Sequence, residues 1–128
     1  MKNVPLKLLL FQYVVEFPRR LITGAGQCIG RACAVIFASK GTDLVLLDKN
    51  PETLSKVDHE VGEMGRKVTS DVVDPTNLER LRKVAGKARK IGLIDILVNN
   101  AGFDRPGTTA KIDKKGFEDA LTSTLPSL

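Results

Sequence analysis

The sequence predicts an α/β fold in which helices cover both faces of a doubly wound parallel sheet, and three observations carry that expectation. From position 21 onward, short apolar runs alternate with helical patterns of ten to fifteen residues, the order produced by βαβ units. A glycine-rich stretch, LITGAGQCIG at residues 21–30, separates the first apolar run from the first helical pattern. An acidic residue, Asp48, ends the second apolar run.

Each element has its own justification. The first strand is expected at Leu21 and Ile22. A helix opens near Cys28, sets Ile29, Ala32, Cys33, Ile36 and Phe37 on one apolar face at i, i+3, i+4, i+7 and i+8, and stops at Gly41. DLVLLD, apolar over residues 44–47, reads as a strand buried on both faces. Asn50 and Pro51 supply an N-cap and a first-turn proline for a helix with the stripe Leu54, Val57, Val61 and Met64, closed by Gly65. KVTSD is a weaker strand. Asp74 and Pro75 repeat the cap-and-proline signal, and Leu78, Leu81, Ala85 and Ala88 continue at helical spacing to Gly92. Residues 94–98, within IDILVNNAG, form the strand with the strongest pattern. DRPGTT is then a loop, and KKGFEDALTSTL begins a helix that the remaining residues do not complete.

The totals narrow the function classes. A chain of 128 residues fits one domain with a real core. The net charge is +5, but Lys and Arg are interspersed with acidic residues and aromatics make up only 5%. That pattern lacks the basic stripe and stacking platforms of a nucleic-acid binder. Cys28 and Cys33 form no CxxC pair, and His59 is the only histidine. No metal site or disulfide framework is expected, and a reducing cytoplasmic setting follows. In the opening 20 residues the apolar run at 8–15 is interrupted by Gln12 and stopped by Glu16. This is too short for a bilayer span, which needs about 20 residues, and it lacks a signal-peptide cleavage site. Residues 1–20 are read as an N-terminal extension and 21–128 as the domain.

The glycine-rich stretch carries the chemistry. A strand, a glycine turn and a helix N-terminus converge unpaired backbone N–H groups and the positive end of the helix dipole on one point, which suits a phosphate. The glycines here are Gly24, Gly26 and Gly30, spaced GxGxxxG, where the usual dinucleotide fingerprint is GxGxxG. Asp48 follows Gly30 by 18 positions, near the separation at which a carboxylate meets ribose hydroxyls.

TGAGQCIG together with NNAG resembles the short-chain dehydrogenase/reductase family, whose glycine motif is TGxxxGxG and whose fourth strand ends in NNAG. Thr23, Gly24 and Gly30 match the first motif, and Asn99, Asn100, Ala101 and Gly102 the second, with the resemblance running over residues 21–121. It implies a Rossmann-type, NAD(P)-dependent oxidoreductase that moves hydride between nicotinamide and an alcohol or ketone. Under it, Thr23, Gly24, Gly26, Gln27, Cys28, Ile29 and Gly30 hold the pyrophosphate side, and Asp48 holds the adenine ribose. A carboxylate there repels a 2′-phosphate, so NAD is expected over NADP. Asp71 and Val72 correspond to the adenine-contacting segment. Asn99 belongs to the same cofactor-binding set, and Asn100, Ala101 and Gly102 lie beside the adenine ribose and nicotinamide; capping of the strand end is the alternative role of Asn99 and Asn100 and can coexist with cofactor contact.

Four departures from the family stand out. Cys28 replaces the motif's second glycine, where a side chain crowds the cofactor or the turn. Arg19 and Arg20 put charge where the family has an apolar first strand. Thr124 stands roughly where the family has a catalytic-site asparagine. The family's acid/base pair, a tyrosine followed four residues later by lysine, has no counterpart: the only tyrosine is Tyr13, with Phe17 four positions on. No catalytic residue is therefore assigned. The expectation is a cofactor-binding portion truncated after the fourth strand and the start of the fourth helix, with that strand an unpaired apolar edge. The partners expected are nicotinamide dinucleotide and, through the edge, a second copy or a full-length relative, with no nucleic acid and no membrane. The alternative is a catalytically dead binding or dimer-partner module.

Overall fold

A computed structural model describes residues 18–102 together with Lys114, Lys115 and Glu118. Tyr13, Phe17, Thr124, the DRPGTT loop and most of the last helical pattern lie outside the described residues. Over residues 18–102 four strands and three helices alternate: β1 (Arg19–Thr23), α1 (Cys28–Ser39), β2 (Asp43–Asp48), α2 (Pro51–Gly62), β3 (Val68–Val72), α3 (Leu78–Ile91) and β4 (Ile96–Val98). The strands form one parallel sheet in the order β3-β2-β1-β4. The chain builds outward from β1 through β2 to β3, then crosses back to lay β4 on the other side of β1. The fold class is thus the Rossmann-type α/β arrangement that the sequence implies.

Because successive strand residues face opposite sides, β1 and β2 feed two cores. Ile22, Leu44 and Leu46 pack with Ala34 and Ala38 of α1 and Leu54, Val57 and Val61 of α2. Val45 and Leu47 pack with Val84 and Ala88 of α3 on the opposite face. Full burial of an aliphatic side chain contributes about 1.5–3 kcal/mol, so β2, with its first five residues buried, is the spine of the molecule.

Several expectations need correction. β1 begins at Arg19, and its arginines find partners for their terminal nitrogens, while Arg20 Nε is buried without a hydrogen-bond partner. Arg20 lays its guanidinium 4.5 Å from the Phe37 ring centroid and donates to Thr42 Oγ1 at 2.7 Å. Arg19 donates to the Ile91 carbonyl at 2.7 Å. On α1 the buried residues are Gly30, Ala34 and Ala38, with Cys33 and Phe37 partly buried. Ile29 and Ile36 are 70% and 57% exposed, and Ala32 is exposed too. Small residues let the helix approach the sheet closely, so the apolar stripe read from side-chain size alone was rotated. On α3 the buried face is Val84 and Ala88 with Leu81 packed beside them, while Ala85 is exposed. Asn77, not Asp74, caps α3, accepting from the Arg80 amide at 3.0 Å. β4 spans three residues, shorter than the expected 94–98, and Ile94 packs against the α3-side core. Met64 falls beyond the end of α2 and is exposed.

Candidate functional site

The carboxyl ends of the strands meet where the strand order reverses, between β1 and β4, and an open sheet of this kind places its ligand crevice there. A cleft of about 290 Å³ lies at that point. Its walls are Thr23, Gly24, Gln27, Cys28 and Ile29 from the β1–α1 turn, Leu47, Asp48 and Lys49 from the end of β2, and Asn100, Ala101 and Gly102 after β4. Val73, Pro75 and Leu81 close the α3 side.

Glycine is required in the turn by close approach. A Cβ on Gly24 would stand 3.0 Å from both Ala101 Cα and Asn100 Nδ2, and one on Gly30 would collide with the Gly24 carbonyl. Gly24 also holds φ at 65°, a region costly for L side chains. Cys28 shares that conformation, with φ 47°, as a non-glycine residue; it is exposed and lines the cleft. α1 begins there without help: no side chain caps it and no acidic residue stands in its first turn. By contrast, Asn50 caps α2 and Asn77 caps α3. The first N–H groups of a helix lack intrahelical partners, so the α1 terminus offers donors and positive dipole to the cleft.

Two polar knots hold the walls. Thr23 Oγ1 accepts from the amides of Asn100 at 3.0 Å and Ala101 at 2.9 Å. Asn100 Nδ2 donates to the carbonyls of Thr23 and Gly24, each at 3.2 Å. Together they lock the TG and NNAG segments across β1 and β4. Asp48 makes the second knot: Oδ2 accepts from the Gly26 amide at 2.8 Å and Oδ1 from the Asn50 amide at 2.9 Å.

Not every expected residue faces the cleft. Gly26 and Gly30 are buried behind its wall. Asn99 is exposed and interacts with Thr23 Oγ1 at 3.5 Å. The Asp71 carboxylate is engaged by Lys87 Nζ at 3.0 and 3.1 Å, and Val72 is exposed; the next residue, Val73, is the one in the wall. Leu47, Lys49, Val73, Pro75 and Leu81 are lining residues that sequence reasoning missed. Leu47 and Leu81 read only as core positions, and nothing in their spacing separates a core face from a cleft wall.

Asp74, between the lining residues Val73 and Pro75, is held below the ordinary carboxylate range. The Thr76 hydroxyl is the largest cause, followed by the Thr76 amide; Lys49 adds to the effect and slight burial opposes it. The corresponding hydrogen bonds are 2.6 and 2.8 Å. His59 sits exposed on α2, 3.3 Å from Glu63, and does not line the cleft. Among the described residues no group of three His, Cys, Asp or Glu side chains could hold a metal ion, and no helix is long and apolar enough to cross a membrane. The walls contain hydrogen-bond donors, one oriented carboxylate and apolar surface, a set suited to binding a polar, elongated ligand.

A family model described as short chain dehydrogenase matches residues 19–127. The chain is 31% identical over 106 residues to a 3-oxoacyl-(acyl-carrier-protein) reductase, FabG, of Thermotoga maritima, covering 82% of this chain and 43% of that protein. An NAD+-bound xylitol dehydrogenase superposes with a TM-score of 0.76 at 37% identity, covering 83% of this chain and 42% of the other. An alcohol dehydrogenase from Thermococcus sibiricus complexed with 5-hydroxy-NADP superposes with a TM-score of 0.78 at 27% identity, covering 86% and 51%. The chain therefore spans about half or less of the length of each of these proteins.

Proposed function

The chain belongs to the short-chain dehydrogenase family, and from that premise we propose that it supplies the dinucleotide-holding half of an NAD-dependent oxidoreductase acting between an alcohol and a ketone. The observation that carries the reading is the uncapped N-terminus of α1, opening behind a glycine cradle onto the same cleft as the oriented Asp48. The cradle fits a pyrophosphate: the start of α1 carries no side-chain cap and no acidic residue, and Gly24 lines the cleft without a side chain.

When bound, NAD supplies the hydride acceptor. The chain's own residues bind and orient. The turn formed by Thr23, Gly24, Gln27, Cys28, Ile29 and Gly30 holds the pyrophosphate with main-chain donors, while the Gly26 amide is taken by Asp48. Asp48 accepts from the adenine ribose hydroxyls, and its charge favours NAD over NADP. Asn100, Ala101 and Gly102 flank the ribose and the nicotinamide, with Asn99 at the strand end. The Asp71–Val72 segment reaches adenine through its continuation, Val73. The proton-transfer step is assigned to no residue of this chain, whose 128 residues carry no Tyr-x-x-x-Lys. Two free cysteines suit the reducing cytoplasm.

Calorimetric titration of NAD and NADP tests this reading. NAD is expected to bind more tightly, and Asp48→Asn to weaken NAD about ten-fold, as loss of a charge-assisted hydrogen bond does. No measurable NAD binding would overturn it.

A second reading, a binding module that pairs with a second copy or a longer relative, is favoured by the exposure of Ile96 and Leu97 on β4. Mixing the chain with a purified full-length family member should then yield a stable heterocomplex. Separate elution of the two would exclude it.

A further inference from the structure

Gly26 answers to space and not to turn geometry. It is buried, and its φ lies outside the positive region occupied by Gly24. A Cβ on it would stand 2.5 Å from Thr53 Oγ1 and 3.0 Å from Asp48 Oδ2, closer than ordinary van der Waals contact. The Gly26 amide donates to that same Oδ2 at 2.8 Å, while the Asn50 amide holds Oδ1 at 2.9 Å. Both donors are main-chain groups, so the plane of the carboxylate is set by the backbone of the turn on one side and of the α2 entrance on the other. Thr53 belongs to the α2 entrance: its amide donates to the capping Asn50 side chain at 3.2 Å. Asn50 accepts there through Oδ1, and its own amide donates to Asp48. One glycine thus gives the β1–α1 turn, the end of β2 and the start of α2 room to meet at a single carboxylate.

We infer that Gly26 is a positioning residue that aims Asp48 into the cleft, and that the space beside Thr53 sets how strictly the cleft distinguishes a free from a phosphorylated ribose. The inference rests on the reading that the cleft takes NAD. An oriented carboxylate accepts from ribose hydroxyls and repels a phosphate in their place. A carboxylate displaced by a methyl group at position 26 does less of both, so a change there acts on discrimination more than on dinucleotide affinity as a whole. Thr53 Oγ1 is the nearer obstacle, and its removal restores the room.

The experiment titrates NAD and NADP into the 128-residue chain as wild type, Gly26→Ala, Thr53→Ala and the double variant, each checked for an unchanged melting curve. In parallel, amide exchange at Gly26 is followed by NMR without dinucleotide. The expected result is a protected Gly26 amide in the wild type and an NAD affinity lowered about ten-fold in Gly26→Ala. NADP affinity should change less, Thr53→Ala alone should have little effect, and the double variant should regain most of the preference. A folded Gly26→Ala chain that keeps the wild-type NAD-to-NADP ratio would overturn the inference, as would equal loss of both without rescue. A Gly26 amide that exchanges freely overturns the inference alone, whatever the dinucleotides do. A wild-type chain with a protected amide that binds neither dinucleotide overturns the proposed function and takes the selectivity role with it.

Discussion

Cys28 is, among the described residues, the one non-glycine with positive φ, at 47°. The left-handed region costs an L side chain about 1–2 kcal/mol, while glycine adds about 0.5–1 kcal/mol of chain entropy to be lost on folding. Cys28→Gly is therefore expected to stabilise the chain by up to about 1 kcal/mol and to tighten NAD binding, since the side chain leaves the cleft wall. Urea unfolding and calorimetry check both, and an unchanged or lowered midpoint would contradict the strain. This residue was legible in the sequence because the motif around it was: Thr23, Gly24 and Gly30 define a turn in which position 28 stands out. The network of Thr23 and Asn100 was only half legible. The two motifs point to one site, but the hydroxyl accepting two amides from the segment after β4 leaves no trace in spacing.

The turn before α3 shows how a local signal can be right in kind and wrong in place. Asp74 reads as a helix cap, yet it closes its own turn onto Thr76, and Asn77 starts the helix. Its carboxyl is held below the ordinary range. A depressed folded pKa gives stabilisation that is fully present above the unfolded value, about 3.9, and lost as pH falls through the folded value. Asp74→Asn is expected to lower stability at neutral pH, with the gap from wild type closing as the solution is acidified below about pH 3.9. A gap independent of pH across that range would contradict the assignment. β2 and α2 were legible because an unbroken apolar run and an Asn-Pro start have few competing readings. β1 was legible only at Leu21 and Ile22, because Arg19 and Arg20 argue against a strand until Phe37 and the Ile91 carbonyl are seen to receive them. α1 was misphased because its sheet-facing residues are the small ones, Gly30, Ala34 and Ala38.

At the scale of the whole sheet, the two sides differ in cover among the described residues. β2 and β1 are sandwiched between helices, while Leu97 of β4 is 61% exposed and Ile96 is exposed beside it. An edge with unpaired backbone groups and apolar side chains is prone to pairing with another chain. Sedimentation is expected to show association rising with concentration in the wild type and reduced by Leu97→Glu, with the melting curve unchanged. Equal behaviour of the two would mean that the edge is inert. Topology was legible from the alternation of elements, and so were the two motifs that meet at the cleft; the exposure of Ile96 and Leu97 on β4 fits the family's sheet order. The apolar wall of Val73, Pro75 and Leu81 was not legible, since only the crossing from β3 to β4 brings it to the glycine turn. The central claim is that these residues fold into a working dinucleotide cleft, and thermal unfolding followed by circular dichroism, with and without saturating NAD, tests it most directly. A single cooperative transition raised by several degrees is predicted, because ligand at 100 times its Kd adds about 2.7 kcal/mol to the native state and each kcal/mol moves a domain of this size by about 2–8 °C. A cooperative transition at the same temperature in both samples would contradict it.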